Sequence, residues 1–400
     1  MADAEIIVVG AGPVGMLAAL LSAQQGCNVL LLEQSARRHI QSRAIGITPP
    51  SLEILSRLGL ADLFIAQGVA VRVSEAHGRS LRLGRIDFTG LQGDFPFVLA
   101  IPQDRTERLL EEAVLADTSI RFLRGHQVTN CAEEENHVMV SGNCDGAGVF
   151  HYSGQYVLAC DGGKSMVRES LGIPFAGAPD RYTFLMGDYE DTTGWGGNAR
   201  FFFTARGSVE SFPLPAGKRR YVVRTPYFIK EYTSDYLARE LSCRAGINVD
   251  GVQQFWESGF GVQRFTAGSF CQGRVFLCGD AAHLMSPVGG QNMNTGFADA
   301  ELAAWLTRIL LEKRAAHLPV CRLYNRVRKQ AVAAALRRAQ WMMLAGTSGG
   351  HLWSALRNLT TLFFLHTPLR RYLMQLFSMQ SIPDRNLKNS QKRFEKELKL

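Results

Sequence analysis

The 400-residue chain carries eight cysteines, yet no two form a C-x-x-C pair. They are Cys27, Cys131, Cys144, Cys160, Cys243, Cys271, Cys278 and Cys321. Several end apolar runs that read as buried strands, such as Leu158-Ala159-Cys160 and Phe276-Leu277-Cys278. Free thiols in a reducing compartment are expected, rather than disulfides or a metal centre. The nine histidines show no metal-ligand spacing, so no metal is expected. No Ser-His-Asp arrangement stands out, and no internal repeat suggests a solenoid. Long basic runs are missing too. The densest clusters are Arg37-Arg38, Lys218-Arg219-Arg220, Arg337-Arg338 and Arg370-Arg371, and none is interleaved with aromatics as a nucleic-acid stacking surface would be. An unbroken apolar span is also lacking. The stretch Ile6–Ala23 is interrupted by Gly10, Gly12, Pro13 and Gly15, and it follows Asp3 and Glu5 rather than positive charge. It therefore reads as neither signal peptide nor membrane span, and a cytoplasmic protein is expected.

What is present is an ordinary globular composition, 46% hydrophobic and 20% charged, enough for two or three structural units. The net charge of +8 is spread out. Attraction of a phosphorylated cofactor explains it more simply than nucleic acid does.

The N-terminus is the most informative stretch. Glu5–Val9 reads as a strand buried on both faces, Val14–Gln25 as a helix ended by Gly26, and Asn28–Leu32 as a second buried strand followed by Glu33 and Gln34. The intervening turn is Gly10-Ala11-Gly12-Pro13-Val14-Gly15. In G-x-G-x-x-G the first glycine permits the tight turn and the second the approach of a pyrophosphate. The third permits close helix–strand packing, and the helix N-terminus offers free N–H groups and positive dipole. Glu33 is placed to accept ribose hydroxyls. This unit predicts a bound dinucleotide and leaves NAD and FAD both open.

Further along, Pro49–Leu58 and Pro102–Ala116 read as helices, the second with Asp104 as N-cap. Residues 71–100 and 119–140 read as short strands. Tyr156–Ala159 and Arg274–Leu277 read as further parallel-type strands. Between residues 180 and 265 aromatics, Gly and Pro are dense, which suggests a second, antiparallel sheet containing Phe201–Phe203, Ser211–Leu214 and Tyr221–Arg224. Helices are expected at about 293–313, 319–345 and 350–378, with a frayed charged tail over Lys388–Leu400.

Three segments choose between the dinucleotides. Gly279-Asp280-Ala281-Ala282-His283, after a buried strand, puts Asp280 where it can bond a polyol hydroxyl. Pro287, Gly289-Gly290-Gln291-Asn292 and Met293-Asn294 then lead into a helix whose N-terminus suits the electron-rich pyrimidine end of a flavin. His283 reads as structural. The second segment is Asp161-Gly162-Gly163-Lys164-Ser165-Met166-Val167-Arg168; the third joins Arg43 to Pro102-Gln103-Asp104-Arg105. Together they resemble the aromatic-ring flavoprotein monooxygenases of the para-hydroxybenzoate and phenol hydroxylase type, over about residues 4–345. The resemblance implies an α/β fold of mixed α+β character. A Rossmann-like, glutathione-reductase-type FAD domain (1–70, 98–178 and 268–340) would be interleaved with an antiparallel substrate sheet (71–97 and 179–267), followed by C-terminal helices (341–400). It assigns Arg43 to the pyrophosphate, Gln103 to the flavin's sugar chain and Asp161 to FAD. Asn292 stands where the family usually has Gly, raising the question of a left-handed backbone there.

By the same resemblance, non-covalent FAD is reduced by transient NAD(P)H, reacts with O2 at C4a to give a hydroperoxide, and hydroxylates a phenolic or polycyclic substrate. No catalytic base carries over. Candidate pocket residues are Tyr182, Met186, Phe201, Phe203, Phe212, Pro213 and Arg224, with Tyr221 an alternative to Arg224 for meeting a substrate anion. Arg37, Arg38, Lys164 and Arg168 are candidate NAD(P)H phosphate contacts. A flavin-dependent halogenase is the alternative, although no W-x-W-x-I-P segment is present; a flavin-binding protein without turnover is another. The C-terminal helices are expected to pack on the FAD domain rather than on a membrane, in a monomer or homodimer.

Overall fold

The computed structural model describes all residues except 1, 39–43, 79–80, 147, 229–234, 287 and 348–349. Two eight-stranded sheets dominate it. In the first, the strands Val275–Leu277, Gly148–Ala159, Ala4–Val9, Val29–Glu33 and Ile120–Arg124 run parallel in that order. Ile6, Ile7 and Val8 at its centre are wholly buried, as a strand covered on both faces requires. A meander of His126–Glu133 and Val138–Cys144 continues it antiparallel from Gly148–Ala159.

The turn after Ala4–Val9 packs as tightly as its glycines suggested. A Cβ on Gly15 would lie 1.8 Å from the Gly10 carbonyl oxygen, so no other residue fits without moving the turn. The helix Pro13–Gln24 then crosses the sheet and packs against the long helix Gln291–Leu311. Gly296 makes that approach possible, since a Cβ there would sit 2.7 Å from Val14.

The second sheet runs His283–Leu284, Gln254–Ala267, Phe175–Glu190, Lys218–Thr225, Gly207–Leu214, Ala199–Thr204, Val73–His77 and Arg82–Asp87. All its pairings are antiparallel except Ala199–Thr204 with Val73–His77. Side-chain parity divides it. Leu185, Val209, Tyr221 and Val223 face a small core under the helix Tyr236–Ala245. Met186, Glu210, Phe212 and Val222 point to the opposite side, toward the first sheet's flavin-type loops.

Three expectations need correction. The helix expected over 350–378 is two, His351–His366 and Arg370–Phe377, because Pro368 cannot continue the ladder. The helix Gln103–Ala116 takes Pro102, not Asp104, as its N-cap. The tail is not frayed: Gln391–Leu398 is a helix that buries Phe394 and Leu398, with the Phe394 ring 6.4 Å from Trp305. The charges that suggested fraying lie on its outer face, where Arg326 pairs with Glu397 at 2.5 Å.

Candidate functional site

One cavity of about 1180 Å³ runs between the two sheets. That exceeds a typical small-molecule pocket of roughly 300–1,000 Å³. Gly12, Pro13 and Val14 line it at one end; Asp280, Gly289, Gly290, Asn292 and Met293 line it further along; Gln103 contributes from the third segment. Both helix N-termini that face it, at Gly12 and at Gly290, lack a side-chain cap, which leaves their first-turn amides for a ligand. A Cβ on Gly12 would meet no protein atom within 4 Å, so the turn presents bare backbone to open space. Gly289 and Gly290, at φ 77° and 66°, hold the left-handed turn that brings the second helix end up to the cavity.

Polar contacts, buried around Asp299 and open to the cavity at Asp280, hold this second turn. Asp299 accepts from the Gly279 amide at 3.0 Å and pairs with Arg328 at 2.5 Å and with the His283 Nε2 at 2.7 Å. Burial raises its pKa, but the Arg328 and His283 charges and their hydrogen bonds outweigh that and lower it overall. His283 is thus a structural residue. Asn292 lies in the helix with no positive φ, so the left-handed question does not arise there. Its Nδ2 donates to Asp280 Oδ1 at 2.7 Å, and its Oδ1 stands 3.3 Å from His283 Nδ1. Burial raises the Asp280 pKa despite His283 and this amide. Asn294 pins the turn to the neighbouring strand: its Oδ1 accepts from Thr48 at 2.9 Å and its Nδ2 donates to the Gly46 carbonyl at 2.9 Å.

Other sequence-derived residues support the site without lining it. Gly10, Ala11, Gly15, Gly279, Gln291 and Asn294 shape the two turns. Glu33 accepts the Ala11 and Ser35 amides, each at 2.8 Å, and neither it nor Gln34 is on the cavity wall. Asp161 accepts the Val167 amide at 3.1 Å, and burial raises its pKa. Arg43 and Pro287 lie outside the described residues. Of the phosphate candidates, Arg168 is buried, donating to the Ala281 and Gly163 carbonyls at 3.0 Å each and stacking on Phe175; Arg38 pairs with Glu111 at 3.5 Å.

Of the pocket candidates, Met186, Phe201, Phe203 and Phe212 line the cavity. Tyr182, Pro213 and Arg224 do not. Pro213 is one residue out of register with Phe212 and so faces away. Arg224 lies over the Tyr182 ring at 5.4 Å, beside the wall. Tyr221 belongs to the opposite face of the sheet, buried against Tyr189.

Sequence reasoning missed two parts of the wall. One is Glu210, on the same face as Phe212 and opposite Phe201 and Val222. It is 7% exposed, and burial alone pushes its carboxyl from 4.5 up to about 7. A lone carboxylate on the same strand face as Phe212 and Leu214 was the available signal. The other part is the C-terminal helices. Met342, Arg357, Thr360, Thr361, Phe364 and Phe377 complete the cavity. The helices His351–His366 and Arg370–Phe377 therefore roof the second sheet rather than packing on the FAD domain, which Gln391–Leu398 alone among these helices does through Phe394; Leu365 packs over Gly84 and His366 Nε2 bonds the Leu83 carbonyl at 3.1 Å.

Residues 3–339 match the family model described as an FAD binding domain. The chain belongs to this family, that of the aromatic flavoprotein monooxygenases. The flavoprotein is 33% identical over 317 residues to a rifampicin monooxygenase of Streptomyces venezuelae, covering 75% of this chain and 63% of the relative. An anhydrotetracycline hydroxylase structure from Streptomyces rimosus superposes with a TM-score of 0.78 at 29% identity, covering 95% of this chain and 76% of the other. A p-nitrophenol 4-monooxygenase from Pseudomonas putida gives a TM-score of 0.84 at 22% identity, covering 94% and 98%, and shares the fold. Across several curated relatives the chain spans only 55% to 64% of their length.

The geometry fits FAD. Two uncapped helix ends and two half-buried glycine turns face one cavity that is long enough to reach the aromatic wall.

Proposed function

We propose that this flavoprotein hydroxylates an aromatic substrate, phenolic or polycyclic, with NAD(P)H and O2 as co-substrates. The observation that carries the reading is the continuity of one cavity from the Gly12 turn to Phe201, Phe203, Phe212 and Glu210. When bound, FAD supplies the redox and oxygen chemistry. The chain supplies the rest. The Gly12 and Gly290 helix ends hold the cofactor's anionic and electron-rich portions. Phe201 and Phe212, edge-to-face with centroids 5.6 Å apart, give a planar ring an apolar seat and keep water out.

Glu210 is the group proposed to accept a substrate hydroxyl's proton. With a pKa near 7 it is matched to general-base work near neutrality. Removing that proton raises electron density at the ortho and para carbons, which activates them toward an electrophilic oxygen. Arg220 also lines the cavity, but it is held bidentately by Asp188 at 2.6 and 2.8 Å, which suits it to orienting rather than to proton transfer.

The test is NAD(P)H and oxygen consumption by yellow purified protein with and without a panel of phenols. Stimulation by a phenol, with hydroxylated product, supports the reading. Flavin that stays bound while no phenol stimulates consumption would leave the non-turnover reading, for which the Asn292 bridge between Asp280 and His283 is the structural motive. Chloride-dependent product would instead support halogenation.

A further inference from the structure

The helix His351–His366 has its polarity reversed. Its one Lys or Arg, Arg357, points inward and is 5% exposed. There it donates to the Thr204 carbonyl at 3.1 Å and to Ser354 Oγ at 2.9 Å, and lies over the Phe203 ring at 5.2 Å. Burial lowers its pKa to about 10, which leaves it charged. The outward face carries Leu352, Leu356, Leu359 and Phe363, at 90%, 53%, 64% and 59% exposure. Their spacing of four, three and four residues places them on one stripe. The stripe does not stand alone. Trp341 and Leu344 are half exposed at the end of the preceding helix, and Leu369 and Tyr372 at the start of the next. Trp341 also lines the cavity, and monomeric soluble proteins rarely leave an apolar stripe such as Leu352–Phe363 uncovered.

Charge decides what covers it. Residues 313–383 contain 11 Lys or Arg and no Asp or Glu, although Arg328 and Arg357 are buried and Arg314 and Arg326 pair with Glu312 and Glu397. Arg337, Arg370 and Arg371 are exposed on the helices that carry the patch. Asp87, a carboxylate from the adjoining strand, is faced by Arg85 and Arg370. A two-fold pairing of two copies would set this positive surface against itself. An apolar stripe bordered by arginines instead complements an anionic lipid surface, the arginines meeting headgroups and the leucines the acyl boundary.

We infer that the outer face of the C-terminal helices is a peripheral docking surface for anionic lipid bilayers. The protein lies on the membrane and does not cross it: among the described residues no helix is long and apolar enough to span one. The inner face of the same helix, through Thr360, Thr361 and Phe364, lines the cavity. Docking would thus set the substrate site one helix away from the bilayer, where an apolar ring compound partitions. Docking itself does not rest on the hydroxylase reading, because the test reads binding and not turnover.

The experiment is flotation of the full flavin-loaded chain with vesicles of pure phosphatidylcholine or of phosphatidylcholine mixed with phosphatidylglycerol. Bound protein is expected only with the mixed vesicles, with binding weakened by added salt. Leu359→Glu with Phe363→Glu should lower the bound fraction at least about tenfold. Arg370→Gln should weaken binding by about fivefold, the effect of one cation near an anionic surface. Leu359, Phe363 and Arg370 all lie outside the cavity wall, so flavin content and thermal midpoint should be unchanged in both variants, which separates docking from folding. Three results would overturn the inference: no flotation with the mixed vesicles, equal flotation with the neutral ones, or a dimer by light scattering that Leu359→Glu with Phe363→Glu converts to monomer.

Discussion

Replacing Glu210 by glutamine should stabilise this protein above neutral pH while slowing its reaction. The carboxyl titrates near 7 in the folded chain and near 4.5 when unfolded. The folded state therefore holds a proton that the unfolded state has released. A raised folded pKa gives stability that is complete below about 4.5 and falls as pH rises toward about 7, then levels off. At roughly 1.4 kcal/mol per pKa unit, the full loss is about 3 kcal/mol. A glutamine side chain has the same shape with nothing to ionise. The assay is urea unfolding of both proteins at pH about 5 and about 8, which together span most of the window. Other groups titrate equally in both, so the difference between the proteins isolates Glu210. The wild type should lose about 2–3 kcal/mol relative to the variant between the two pH values. Turnover should fall in the variant, most steeply with substrates whose hydroxyl has the highest pKa. A pH dependence of stability that is the same in both proteins would refute the burial argument. Retained turnover with all phenols would refute the proposed proton acceptor.

Three further outcomes follow from the geometry. Gly12→Leu should leave the thermal midpoint close to that of the flavin-free wild type, because no protein atom lies within 4 Å of its Cβ, but should abolish visible flavin absorbance by filling the cradle. Asp299→Asn removes the carboxylate between Arg328 and His283, and should cost about 3–5 kcal/mol in urea unfolding, because a buried guanidinium is left without its counter-charge. Phe394→Ala should cost about 3–5 kcal/mol, as large-to-small changes of a buried aromatic do, whereas a frayed tail would give no measurable change.

The C-terminal half shows where reading the chain by itself stops. The residues of Leu352–Phe363 announce an amphipathic helix by spacing alone, but not which stripe faces in. Apolar side chains ordinarily do, and here Arg357 does. The reason is tertiary: the inner stripe meets carbonyls at Thr204 and Gly346 and the face of Phe203, which satisfy a guanidinium better than leucines would. Pro368 by contrast ends its helix for a local reason, a missing N–H and a fixed φ, which sequence could have supplied.

The same division holds at the site. Gly10, Gly15 and the Gly289-Gly290 turn were legible because their requirement is steric and local: a positive φ, or no room for a Cβ, is met by one residue type. Arg224 and Tyr221 were not separable, since a strand's two faces differ by one residue and only the second sheet's pairing says which face meets the cavity. Glu210 was overlooked for a related reason. Its chemistry comes from desolvation, which depends on Phe201, Phe212 and Val222 arriving from positions in three strands. The chain's local chemistry thus determined the two glycine turns proposed to cradle the cofactor. Which side chains face its far end, and with what proton affinity, was decided only when the two sheets closed on each other, because burial and strand parity are properties of the packed structure.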